Sequence, residues 1–108
     1  FLAIDAGLTI GVTGLHQLWD APNTEVWLGW FGIIQRYRRK GFASALLELT
    51  ATRAKAAGYF TLYVCVDVNA TPAKDFYHAR GFRQLAASEW PSTVRVYDNT
   101  DLVFSRPL

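Results

Sequence analysis

The chain has 108 residues, of which 51% are hydrophobic and 15% aromatic, and its net charge is +2. That length holds the core of one domain at most, and so apolar a composition excludes a disordered chain. No apolar run reaches the roughly 20 residues of a membrane-spanning helix, and the small net charge counts against a nucleic-acid module, whose basic excess is usually larger.

No secretory signal opens the chain. The single cysteine, Cys65, excludes an intrachain disulfide and fits a reducing compartment, so a cytoplasmic location is expected. There is no methionine, and Phe1 opens directly in a strand pattern. A longer natural protein is therefore expected, with its N-terminal part absent from this chain.

Phe1–Asp5 and Leu8–His16 are apolar, β-prone runs, and Asp5-Ala6-Gly7 between them reads as a hairpin turn. Trp19–Thr24, with Pro22 and Asn23, reads as a loop. Glu25–Ile34 is rich in aromatic and β-branched residues and reads as a strand. Gly29 and Gly32 inside it point to a bulge or to a close approach by another group. From Phe42 to Ala57 the period becomes helical. Phe42, Leu46, Leu49 and Ala56 share one face, and Glu48, Thr52 and Lys55 another. Gly58 is a natural stop.

Phe60–Val68 alternates with strand period, which puts Cys65 in the core as an inert thiol. Thr71-Pro72 reads as an N-cap followed by proline in the first helical turn, with that helix running to Arg80 and stopping at Gly81. Phe82–Ala87, Thr93–Tyr97 and Leu102–Ser105 are further strand candidates. The order β-β-β-α-β-α-β-β implies an α/β (α+β) fold. Its sheet is mixed and mostly antiparallel, with a parallel β-α-β crossover at the centre.

Gln35–Leu47, "QRYRRKGFASALL", is the most informative stretch. Four cations fall within residues 36–40, and small residues begin at Gly41. Two readings stand: a basic patch for nucleic acid, or a loop that holds a phosphate at a helix start. A helix N-terminus offers unpaired N–H groups and the positive end of its dipole. Gly41, Ala43, Ser44 and Ala45 let backbone approach an anion closely.

Arg38-Arg39-Lys40-Gly41-Phe42-Ala43 resembles the R/Q-x-x-G-x-G/A signature of the GCN5-related N-acetyltransferase (GNAT) superfamily. Tyr77-His78-Ala79-Arg80-Gly81-Phe82 resembles that family's Y-x-x-x-G-F segment, and Asn69 sits at the end of the strand before it. The resemblance covers most of the chain, but the strand and helices with which the family normally begins have no counterpart here.

The resemblance implies an acetyl-coenzyme A-dependent N-acetyltransferase acting on a primary amine. The alternative is a non-catalytic module of the same fold that binds coenzyme A or a protein partner. It implies a pyrophosphate cradle at Arg38, Arg39, Lys40, Gly41, Phe42, Ala43 and Ser44. The strand around Phe31, Ile33 and Ile34 would run beside the pantetheine arm, and the N–H near Ile33 would polarise the thioester carbonyl. Asn69 would bond the pantetheine or close an Asx turn.

By the same resemblance Tyr77 is the general acid; without it, Tyr77 reads as a core tyrosine beside Phe76. Glu25 is the candidate base, with a solvent-facing strand-end role as the competing reading. Asp67 reads as a turn cap, and His16 and His78 as strand-end and helix-surface residues. Trp27 shares a strand face with Glu25 and would line an acceptor pocket if that face borders the cleft. The expected partners are the cofactor and an unknown amine, with no metal, no nucleic acid and no membrane. A homodimer would complete the acceptor wall.

Overall fold

The computed structural model describes residues 2–5, 8–16, 25–33, 41–91 and 101–108. Six strands form one mixed sheet: β1 (Leu2–Asp5), β2 (Leu8–His16), β3 (Glu25–Ile33), β4 (Thr61–Asp67), β5 (Arg83–Gln84) and β6 (Asp101–Pro107). Helix α1 (Phe42–Ala56) joins β3 to β4, and α2 (Thr71–Ala79) joins β4 to β5. The strands lie in the order β1-β2-β3-β4-β6-β5. All neighbours are antiparallel except β3 and β4, which pair in parallel across α1. The mixed sheet with a central parallel crossover is thus the architecture expected from the element order. Asp5 pairs with Leu8, as the hairpin reading requires.

The two sheet faces differ. On one, Val26, Leu28, Leu62, Val64 and Phe104 pack under α1 and α2. On the other, Trp27 and Val103 cluster with Leu85, flanked by Tyr63 and Trp90. Alternation along β3, β4 and β6 produces this split, because successive side chains leave opposite faces of a strand.

The buried stripe of α1 is Leu46, Leu47, Thr50, Ala51 and Ala54. The expected face through Leu49 and Ala56 is therefore corrected: Leu49 is 43% exposed, and Ala56 is exposed as well. The face through Phe42, Leu46, Leu49 and Ala56 shares only Leu46 with the buried stripe and leaves out Leu47, Thr50, Ala51 and Ala54. A close-packed helix on a sheet also buries alanines and a threonine. Glu48 is on the outer side as expected, and its carboxylate accepts two bonds from the Arg106 guanidinium at 2.8 and 2.9 Å, tying α1 to β6.

Both helices end on a left-handed glycine. Gly58 (φ +95°) donates to the Lys55 carbonyl, and Tyr59 to that of Ala54. Gly81 (φ +89°) donates to the His78 carbonyl, and Phe82 to that of Tyr77. These are paired Schellman bonds, which close the last open carbonyls of a helix. In α2 the apolar contact of that motif is explicit: the Tyr77 and Phe82 rings meet edge to face, 5.3 Å between centroids.

Three further expectations are corrected. Ala70, not Thr71, caps α2, with Pro72 in its first turn and no side-chain cap bond. The strand expected at Phe82–Ala87 is Arg83–Gln84, because Phe82 turns into the core and Ala87–Glu89 form a 3₁₀ turn. Cys65 is exposed, since the buried side chains of β4 are Leu62, Val64 and Val66 on the helix face. Thr93–Tyr97 and Trp19–Thr24 lie outside the described residues. No helix among the described residues is long and apolar enough to cross a membrane.

Gly81→Ala is expected to lower unfolding stability by about 1–2 kcal/mol in urea titrations, through the left-handed backbone it strains. The space itself is open, since a Cβ there would meet Arg106 only at 3.9 Å.

Candidate functional site

β3 and β4 pair only through Glu25, Val26 and Trp27 with Thr61, Leu62 and Tyr63. Both strands continue beyond that point. β3 stays held by β2 as far as Ile33, and β4 by β6 as far as Asp67. Their inner edges, Leu28–Ile33 and Val64–Asp67, have no ladder between them. The sheet therefore opens at its centre into a fork. Each open edge carries backbone N–H and C=O groups that no strand among the described residues pairs.

A bulge accompanies the opening. The β2–β3 register runs Gly14 opposite Trp30 and Leu15 opposite Leu28, so Gly29 is the extra residue. A bulge bends its strand and increases local twist. It falls two residues past the last β3–β4 pair. Of the two glycines singled out in the sequence, Gly29 marks the bulge, while Gly32 pairs regularly with Val12.

Helix α1 starts at Phe42, after β3. Its N-cap is Gly41, at φ +82°, with no side-chain cap bond and no acidic residue in the first turn. A Cβ on Gly41 would meet nothing within 4 Å. The first carbonyl bonded in the helix is that of Gly41, to the Ala45 N–H at 3.1 Å. The amides of Ala43 and Ser44 precede it and have no intrahelical acceptor. This terminus has the backbone, charge and space to receive an anion.

The sequence-derived candidates fall around these two features. Phe31 and Ile33 stand on the open stretch of β3, opposite Thr13 and Gly11 of β2. Gly41, Phe42, Ala43 and Ser44 form the start of α1. Ile34, Arg38, Arg39 and Lys40 lie outside the described residues. Asn69 is exposed in the turn that ends β4. Its N–H donates to the Asp67 carboxylate at 2.7 Å and its carbonyl accepts from Thr71, so Asp67 makes the turn.

Tyr77 sits on the helix face of the sheet, 8% exposed, with its ring edge-on to both Phe76 and Phe82. Burial pushes its phenol up to about 12. Glu25 lies on the opposite face with Trp27. Trp27 stacks on Tyr63 at 5.1 Å between centroids, and these two are the last paired residues before the fork. Burial, then the Glu25 charge, raises the Tyr63 phenol.

Glu25 Oε2 and Trp27 Nε1 are buried without a hydrogen-bond partner. Beside them a groove of about 290 Å³ is lined by Thr61, Tyr63, Arg83, Leu85, Glu89 and Ser105, among others. Glu25 and Tyr77, the candidate base and acid, thus occupy opposite faces of the sheet. His78 is exposed on α2, as expected. Cys65 is not activated, because burial around its sulfur, then the Asp101 charge, raises the thiol.

Sequence reasoning missed Tyr63, which only the β3–β4 register brings against Trp27. It also missed Thr50 and Thr13, both fully buried and hydrogen-bonded to each other. The signal for Thr50 was its place four residues after Leu46, on the buried stripe.

A long, phosphate-bearing ligand with an extended amide arm fits the described residues. The fork supplies strand edges for the amides, and the open left-handed Gly41 leaves room at the amides of α1 for a phosphate.

The acetyltransferase (GNAT) family model matches residues 1–82. No curated protein matches the chain. Solved structures do. An acetyltransferase of the GNAT family from Staphylococcus aureus Mu50 aligns over 98% of this chain and 65% of its own, at 24% identity and a TM-score of 0.82. A GNAT family acetyltransferase from Elizabethkingia anophelis, with acetyl-CoA bound, aligns over 99% and 74%, at 20% identity and 0.80. The PaiA N-acetyltransferase from Thermoplasma acidophilum, in complex with coenzyme A, aligns over 99% and 58%, at 19% identity and 0.78. This chain therefore spans about two thirds or less of the length of the first and third of these, and at such identities the likeness is one of fold. With the family model covering three quarters of the chain, the forked sheet and the glycine-started helix belong to a member of the acetyltransferase (GNAT) family.

Proposed function

We propose that this chain binds acetyl-coenzyme A in the fork and acetylates a primary amine. The observation that carries the reading is the early end of the β3–β4 ladder beside the glycine-started α1. In this reading the amides of Gly41, Phe42, Ala43 and Ser44 hold the pyrophosphate, with Arg38, Arg39 and Lys40 adding charge. The open edge of β3 around Phe31, Ile33 and Ile34 bonds the pantetheine arm, and Asn69 borders it from the end of β4. The N–H near Ile33 bonds the carbonyl oxygen as charge develops on it.

The cofactor supplies an acetyl thioester, whose acyl carbon is attacked by the amine nitrogen while the carbon–sulfur bond breaks. The chain's residues handle the protons. Glu25 stands eight residues from Ile33 along β3, about 26 Å of extended strand, so a proton from the amine reaches its unpartnered Oε2 only along a chain of waters. Tyr77 serves the departing sulfur from the other face, and its raised pKa keeps the phenol protonated at physiological pH. Base and acid on opposite faces suit a reaction held between parted strands. The acceptor then enters from the Trp27–Tyr63 face, where the groove opens.

Coenzyme A is expected to raise Tm by on the order of 10 °C at a hundredfold excess over Kd. No shift at millimolar concentration excludes cofactor binding, and a shift without transfer to any amine leaves a binding module.

Tyr77→Phe is expected to lower kcat at least tenfold, read by thiol release, and full turnover removes the acid role. The same variant has a structural signature. The folded phenol ionises near 12 and the unfolded one near 10. The unfolded state therefore loses its proton first, and this contribution to stability is lost between pH 10 and 12. Thermal unfolding across that window should show a shallower alkaline loss in Tyr77→Phe than in the unsubstituted chain.

A further inference from the structure

Thr13 and Thr50 are the two fully buried polar side chains among the described residues. They face each other across the interface between β2 and α1, with 3.2 Å between their hydroxyl oxygens. The single Thr50 hydroxyl proton is shared between Thr13 Oγ1 and the Leu46 carbonyl, which lies 2.7 Å away and one turn closer to the start of the helix. The surrounding stripe is Leu46, Leu47, Ala51 and Ala54, all buried.

Apolar packing of that kind is favourable but non-directional. Leucines and alanines define the position of α1 along the sheet less sharply than directional bonds do, and the Glu48–Arg106 pair supplies such bonds only toward β6, from the exposed side of the helix. A hydrogen bond is directional because it weakens steeply with distance and angle. The placement of this bond gives it a consequence. Thr13 pairs with Phe31, on the part of β3 that has left β4, just past the bulge at Gly29. Thr50 lies eight residues from Phe42, roughly 12 Å along the helix axis. The bond thus spans the two walls of the fork-and-helix site, the open strand pair and the helix whose first amides face outward.

We infer that the Thr13–Thr50 hydroxyl pair is a positioning device: it sets the height of the α1 N-terminus against the open edge of β3, and so the geometry in which a phosphate and an extended arm are held together. Thr50 is a positioning residue that touches no ligand. The inference rests on the coenzyme A reading of the site.

The test uses Thr50→Val, which keeps the shape and removes the hydroxyl, with Thr50→Ser, Thr13→Val and the double valine variant. Two readouts are taken at a temperature far below Tm. Calorimetry gives Kd for coenzyme A, and amide hydrogen exchange without ligand compares residues 45–48, the first amides bonded within the helix, with residues 53–56.

Thr50→Val is expected to weaken coenzyme A roughly three- to tenfold and to speed exchange in residues 45–48 but not in 53–56. Thr50→Ser should restore both. Thr13→Val should give the same loss, and the double variant no further loss, as coupled partners require.

Unchanged Kd and unchanged exchange in Thr50→Val overturn the inference. So does a uniform rise in exchange over the whole helix with Kd unaltered, which marks a packing role alone. If the unsubstituted chain binds no coenzyme A, the functional reading fails, and the exchange pattern by itself then decides whether the pair anchors the helix start.

Discussion

The parting of β3 from β4 after Trp27 and Tyr63 is the constraint on which the rest of the chain depends. A parallel pair at the centre of a sheet would ordinarily run its full length, because unpaired backbone groups are costly once removed from water. Here each strand is held on its outer side and released on its inner side. β2 and β6 make that tolerable, since they pair with β3 and β4 well beyond the opening. The bulge at Gly29 bends β3 near the point where the ladder stops. What results is a gap with hydrogen-bonding edges in an otherwise continuous core, and α1 begins after β3.

The Y-x-x-x-G-F segment has a structural role that stands apart from any chemistry. Gly81 stands at the left-handed position that ends α2, and Phe82 is the residue whose N–H returns to the Tyr77 carbonyl. The Tyr77–Phe82 ring contact is the apolar partner of that cap. The spacing of tyrosine, glycine and phenylalanine is thus what a Schellman ending demands. The catalytic use proposed for the Tyr77 hydroxyl would be layered on a ring whose position the helix end already secures. The same motif closes α1 with Gly58 and Tyr59, where no catalytic role attaches.

The sheet has two unlike faces, and the proposed chemistry uses both. Tyr77 belongs to the helix-covered core. Glu25 belongs to the face of Trp27 and Tyr63, where buried polar atoms stand without partners. Such groups cost free energy in a resting protein, and they lie where a sheet opens. A strand carries side chains to both faces two residues apart, so a fork between strands is reached from either side. That geometry lets a proton be taken from one direction and delivered from the other.

The sequence by itself determined the element order, the parallel crossover, the two glycine stops and the small-residue start of α1. These are local matters of period, φ and side-chain size, and "RRKGFA" and "YHARGF" carry them on their face. It also marked Gly29 and Gly32 in β3 for a bulge or a close approach by another group. Only the tertiary structure decided that the bulge is at Gly29, that α1 buries Thr50 and leaves Leu49 outside, and that Cys65 is exposed. Pairing register decided that Trp27 stacks on Tyr63, and the same register put Glu25 and Tyr77 on opposite faces. The reason is common to all of these. Register, burial and facing are set by contacts between segments far apart in the chain, such as Thr13 and Thr50, and no local pattern encodes which partner a residue will meet.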